Sequence, residues 1–136
     1  MVPGSLEDLE GTRWPDPGAD ATRLVATAHA LRRRPVAELG VEELRLLIGQ
    51  DIGLPHLLPR AVELLCHDPL AEGDLHPGDL LSAVLGRAPA VWTARPEPAA
   101  RLATAVRRMV TAPEPGLPGE VRRRAEAFLA GRPGAE

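Results

Sequence analysis

The sequence predicts an all-α protein: a single compact multi-helix domain of about six to seven helices, with the C-terminal helix following a Pro/Gly linker. Two observations carry this. Apolar residues recur at three- and four-residue spacing along most of the 136 residues, the period of a helix with one buried face. Leu and Ala dominate those positions and runs of β-branched residues are absent, so nothing reads as a strand. The expected division is a helical domain over 1–111 and a linker plus amphipathic helix over 112–136.

Taken in order, Ser5 is placed to cap a short helix through Glu10, with Asp8 three residues on as a weak capping box. The stretch from Thr12 to Gly18 is a loop by its Pro and Gly content. Asp20 is the expected cap of a helix to about Arg34, with Leu24, Ala28 and Leu31 on one stripe and Pro35 as its stop. Val41 to Gln50 follows, with Val41, Leu44, Leu47 and Ile48 on one face and Glu42 and Glu43 at the positive end of its dipole. Gly49 and Gly53 bracket its end, and with Gly78 they read as backbone-geometry positions. Pro55 suits the first turn of the next helix, where its missing N–H has no partner to lose; Pro59 is expected in that turn too. Leu58, Ala61, Val62 and Leu65 face inward there, with Leu57 and Leu64 widening the stripe, and Asp68-Pro69 is the stop. After a polar loop, Leu80, Leu81, Val84 and Leu85 resume the helical period. Pro96 or Pro98 opens a helix to about Thr111, with Leu102, Val106, Met109 and Val110 inward. Pro113 to Gly119 is the linker, and Val121, Ala125, Phe128 and Leu129 mark a last helix that is expected to dock more loosely.

Composition narrows the function. All 16 basic residues are Arg, a bias of genome composition more than of chemistry. Cys66 is the only cysteine, so no intramolecular disulfide forms. The first residues lack the basic start and apolar run of a signal peptide, and no stretch reaches the roughly 20 apolar residues that cross a bilayer; the expected compartment is the cytoplasm. Net charge is −3, unevenly spread. Residues 38–79 hold nine acids and two arginines, whereas 80–136 hold nine arginines and five acids. An acidic middle favours a basic partner, unless it is only a solvated surface.

Catalytic and metal signals are weak. Cys66, His67, Asp68, Asp74, His76 and Asp79 are ligand-type groups, but zinc sites usually show two close pairs, and three consecutive residues at a helix end point apart. Cys66 beside His67 is adjacent in sequence, while a catalytic pair must meet in space. No phosphate-binding glycine motif or nucleophile elbow is present. No enzyme activity, metal or cofactor is expected. Arg32-Arg33-Arg34, Arg107-Arg108 and Arg122-Arg123-Arg124 are short basic clusters, yet no aromatic sits between them for base stacking. The first run has a simple explanation at a helix C-terminus. Nucleic acid and membrane are not expected partners.

The loop from 68 to 79 is the more informative stretch. Asp68, Glu72, Asp74 and Asp79 have no base among them. Gly73 and Gly78 permit tight turns, and Pro69 and Pro77 stiffen the chain. A rigid row of carboxylates is a good surface for a cationic protein cleft, because preorganisation limits the ordering cost of binding. Asp79 by itself reads as a helix cap.

Several ordered stretches resemble the contact-dependent growth inhibition immunity proteins. They are Glu43-Leu44-Arg45-Leu46-Leu47-Ile48-Gly49-Gln50, Ile52 to Pro59, Asp68 to Asp74, and His76-Pro77-Gly78-Asp79-Leu80-Leu81. The opening Ser5 to Gly11 with Trp14, the turn from Leu31 to Pro35, and Trp92 fit the same pattern. The resemblance covers roughly residues 5 to 95; the family often has an aromatic where His76 stands. It implies a non-catalytic antitoxin that binds the C-terminal toxin domain of a partner system, commonly by covering a nuclease active site. An acidic surface would then stand in for the phosphate backbone. On that reading Glu43, Asp51, Asp68, Glu72 and Asp74 form the acidic contact, and Leu54, Pro55 and Leu75 supply apolar anchors. The alternative is a helical regulatory or adaptor module without a toxin partner, sharing the fold and the acidic face.

Overall fold

A computed structural model describes residues 4–15, 18–111 and 119–130. Among them are eight α-helices and no strand: α1 (Leu6–Glu10), α2 (Arg23–Leu31), α3 (Val41–Gly49), α4 (Leu54–His67), α5 (Asp79–Leu85), α6 (Pro89–Thr93), α7 (Pro96–Thr111) and α8 (Gly119–Ala130), with a 3-10 turn over Val36–Glu38. The all-α architecture is therefore as the periodicity requires.

Local departures have local reasons. The cap of α2 is Thr22, whose Oγ1 accepts the Val25 N–H at 3.2 Å, and not Asp20. The Ala21 N–H is already bound to the Gly18 carbonyl at 3.0 Å, which places Asp20 in a turn before the helix. Pro59 lies inside α4, beyond the first turn where it was expected. Its ring withholds the N–H that the Pro55 carbonyl would accept. Both prolines are exposed, so that carbonyl has access to water. The helix α6 and the 3-10 turn have too few residues to show a period.

The centre of the fold is its short helix α5. Asp79, Leu80, Leu81, Ser82, Val84 and Leu85 are all buried, because α5 is packed by α3, α8 and α4. Around it, α4 packs on both α3 and α7, and α7 on α8. Leu44, Leu47 and Ile48 of α3, Leu57, Leu58, Val62 and Leu65 of α4, and Leu102 and Val106 of α7 fill the interior. Each such side chain contributes about 1.5–3 kcal/mol on leaving water. The expected looser docking of the last helix is not what is found: Val121 and Ala125 of α8 are fully buried in the same core. The preceding linker, 112–118, lies outside the described residues. Trp92 anchors α6 by donating its indole N–H to the Val84 carbonyl at 3.3 Å and meeting Phe128 of α8 edge-on at 5.6 Å.

The N-terminal segment is a separate layer held on this bundle. Ser5 Oγ accepts the Asp8 N–H, and the Asp8 carboxylate accepts the N–H of Gly4. Leu6 is buried beneath Gly53, whose φ is +65°; a Cβ there would lie 2.7 Å from both Leu6 methyls. Arg32, expected to complement the dipole at a helix C-terminus, is wholly buried. Its guanidinium bonds Glu10 and the Thr12 carbonyl, lies 3.9 Å from the Glu7 carboxylate, and stacks 4.1 Å from the Trp14 ring centre. One side chain thereby fastens α1 and the following loop to the end of α2.

Candidate functional site

The acidic loop is built around a carboxylate that points inward. Asp79 is the first residue of α5, and Gly78 occupies the cap position. The Asp79 side chain turns back towards the loop, and most of the N–H groups it accepts belong to the loop and not to its own helix. Its Oδ1 accepts the Gly73 N–H at 2.7 Å; its Oδ2 accepts those of Leu75 at 3.0 Å and His76 at 3.4 Å. A second acceptor comes from α3. Glu42 Oε1 takes the Asp74 N–H at 2.7 Å and the Arg45 Nε–H at 2.7 Å. Four successive backbone N–H groups, from Gly73 to His76, are thus drawn towards the body of the protein. Gly73 has to be glycine for this approach, since a Cβ would sit 3.2 Å from the Glu42 backbone and nearer still to its carboxylate. The loop is closed at its base by the Gly78 N–H on the Leu70 carbonyl at 3.2 Å.

The electrostatics follow from these contacts. Burial pushes the Asp79 carboxyl up, but N–H donors from Gly73, Leu75, His76 and Leu80 outweigh it and hold the group below its ordinary value. The hydrogen bond from Arg45 lowers Glu42, against the opposing effect of burial. Both groups therefore stay charged, and both are spent on holding the loop. Neither was singled out from sequence as its organiser; a carboxylate three to six residues after a Gly-rich turn is the only local signal.

The five carboxylates expected to make contact fall in different settings. Asp68, Glu72 and Asp74 are exposed on the loop. Glu43 lies beside Asp74 on a groove between α2 and α3, but its Oε1 already accepts the Gly40 N–H at 2.8 Å, which closes the first turn of α3. Asp51 follows the other end of that helix, about 12 Å along at 1.5 Å per residue. It holds φ +58° and pairs with Arg87 at 2.7 Å. Of the apolar anchors, Leu75 is 64% exposed and Pro55 is exposed. Leu54 belongs instead to the core at 8% exposure, because it is the residue with which α4 starts over the buried layer.

Among the described residues, no group of three or more His, Cys, Asp or Glu side chains is placed to hold a metal ion. Cys66 is exposed at the end of α4. Among the described residues no helix is long and apolar enough to cross a membrane.

Comparison with known proteins gives one finding. No curated protein and no solved structure matched the chain. The sequence does match the family described as CDI immunity proteins, over residues 8–102. That span runs from within α1 into α7 and contains the whole acidic loop, α3 and α5 that brace it, and Arg32 with Glu10 and Trp14. With the match covering well over half of the chain, this protein belongs to the family of CDI immunity proteins.

Proposed function

We propose that this chain is a non-catalytic immunity protein that neutralises a toxin domain by binding it, with the loop over 68–79 and its surroundings as the contact. The supporting observation is the division of labour within that loop. Asp79 and Glu42 fix its backbone from inside, which leaves Glu72, Asp74 and Leu75 exposed on a preorganised frame. A carboxylate surface of that kind suits a cationic cleft, such as the phosphate-handling site of a nuclease. Complementary charge speeds encounter and rejects wrong partners, and the fixed backbone limits the ordering cost. Asp68, on the same loop, extends the acidic rim; Pro55 and Asp51 lie outside it and contribute only if the contact is wide.

The test is reversal of two exposed charges together, Glu72→Arg with Asp74→Arg, in the full chain. Binding and inhibition are read against candidate toxin C-terminal domains from the same organism. Association at low salt is expected to slow roughly tenfold or more, with a flatter salt dependence. Unchanged association and unchanged salt dependence would remove the loop from the interface.

A further inference from the structure

The α2–α3 groove is lined on one side by Arg23, Leu24, Thr27, Leu31 and Arg34 and on the other by Glu42, Glu43, Leu46 and Asp74. Three features set it apart. On α2, Leu24, Thr27 and Leu31 follow the i, i+3, i+7 spacing of one helix face, and Leu24 is 41% exposed. In a water-facing helix of an ordinary domain that leucine would be turned inward; here α2 has α3 as its main packing partner, and the seam between them is left open. The two rims also carry opposite charge without meeting. No ion pair crosses the seam among the described residues: Arg34 donates only to the Glu38 carbonyl at 3.5 Å, while on the facing wall Glu42 is paired with Arg45, Glu43 Oε1 accepts the Gly40 N–H and the Asp74 carboxylate is exposed. Finally, the groove runs into the acidic loop through Asp74, whose backbone is held by Glu42.

We propose that this groove receives an amphipathic helix of the toxin domain, as a third helix laid along the α2–α3 seam. The inference rests on the toxin-binding reading and extends it from a charged loop to a defined docking mode. An apolar ridge on the incoming helix covers Leu24 and Leu46, the usual arrangement of a helix in a groove. Basic residues on one flank of that helix meet Glu43 and Asp74; acidic residues on its other flank meet Arg23 and Arg34. Because the rims differ in sign, a helix laid in the reverse sense, or one of uniform charge, meets like charge on one side. The groove therefore sets partner specificity by repulsion as well as attraction, which a uniformly acidic surface does not do.

The experiment uses the full chain and the candidate toxin C-terminal domain that it inhibits, with affinity measured by calorimetry and folding by thermal unfolding. Thr27→Arg fills the groove from a half-buried helix position, and Arg23→Glu with Arg34→Glu reverses one rim at exposed positions. Filling the groove is expected to weaken binding about 30-fold or more, the size of a hot-spot loss. Reversing the rim is expected to weaken it about tenfold, with partial recovery when an acidic residue of the toxin helix is changed to Lys. If the wild-type chain binds and both folded variants bind equally well, the groove is not the dock and the toxin-binding reading stands without it. If the wild-type chain fails to bind the toxin domain, both readings fall together.

Discussion

Two buried charges, Arg32 and Asp79, organise the two irregular parts of this molecule, and they do so by different means. Arg32 gathers side chains: the carboxylates of Glu7 and Glu10 and the ring of Trp14. Its Nε and Nη1 have no hydrogen-bond partner, so its burial leans on ion pairing, stacking and the one backbone bond from Nη2 to the Thr12 carbonyl. Asp79 gathers backbone, accepting N–H groups from three residues of its own loop. An isolated buried charge is costly, and each solution offsets that cost. The first ties distant segments together and depends on every partner. The second is local and leaves the neighbouring side chains exposed, which suits a recognition loop. The N-terminal layer and the acidic loop of this protein are thus distinguished by what their central charge binds.

The largest expected effect breaks the Arg32 side of that comparison. Arg32→Ala takes a wholly buried guanidinium away from Glu10 and from Glu7, only 4% exposed, and leaves Glu7 the part-exposed Arg33 at 3.5 Å. Removing one partner of a buried pair costs about 3–5 kcal/mol, a large part of the stability of a domain this size. Urea unfolding followed by tryptophan fluorescence reads it, and a loss under about 1 kcal/mol would show that the layer is not held by this network.

A smaller effect is expected at Asp79, together with a pH signature. Asp79→Asn should cost about 2 kcal/mol near neutral pH, because the acceptor loses its charge and one acceptor site, while water reaches part of the exposed loop. The Asp79 carboxyl is held below its ordinary value in the folded state. The unfolded chain therefore takes up the proton first, and the stabilisation is present above the ordinary aspartate value and lost as pH falls through the lower folded one. The gap between wild type and Asp79→Asn should close as the solution is acidified through that window. A gap that stays constant with pH would mean the charge on Asp79 does not hold the loop.

The smallest effect sharpens the contrast between buried and exposed charge. Asp51 and Arg87 form a short ion pair, but the Asp51 side chain is 63% exposed. Asp51→Asn, which removes the charge and keeps a residue suited to φ +58°, should change stability by no more than about 0.5–1 kcal/mol. The same unfolding assay in high salt checks it, since a surface pair is screened. A loss comparable to that of Arg32→Ala would overturn the ranking by burial.

Much of this molecule was legible in its residues, and what was not legible has a common cause. The stripes of α3, α4, α5, α7 and α8 name core residues directly, because each amphipathic helix has to bury its apolar face. The stop at Asp68-Pro69, the cap at Ser5 and the acidic character of the loop are equally local. Thr22 as the cap of α2 was missed because two candidate caps stand two residues apart and a turn from Gly18 to Ala21 decides between them. Pro59 is expected within the first turn of α4 and lies beyond it, where its tolerance depends on the exposure of the carbonyl it orphans.

For the site, sequence located the loop and its exposed Asp68, Glu72, Asp74 and Leu75, since those depend on chain composition alone. It gave no sign that Leu54 is core or that Glu43 closes the first turn of α3. Nor did it separate the acids that hold the loop from the acids that face outward. Glu42 and Asp74 are 32 residues apart, and Arg32 and Glu10 are 22 apart. Helix period, capping chemistry and charge density act over a few residues, and those the chain determines by itself. Which carboxylate turns inward, which arginine is buried and which seam between helices stays open depend on groups that meet only when the helices pack, and those only the tertiary structure decided.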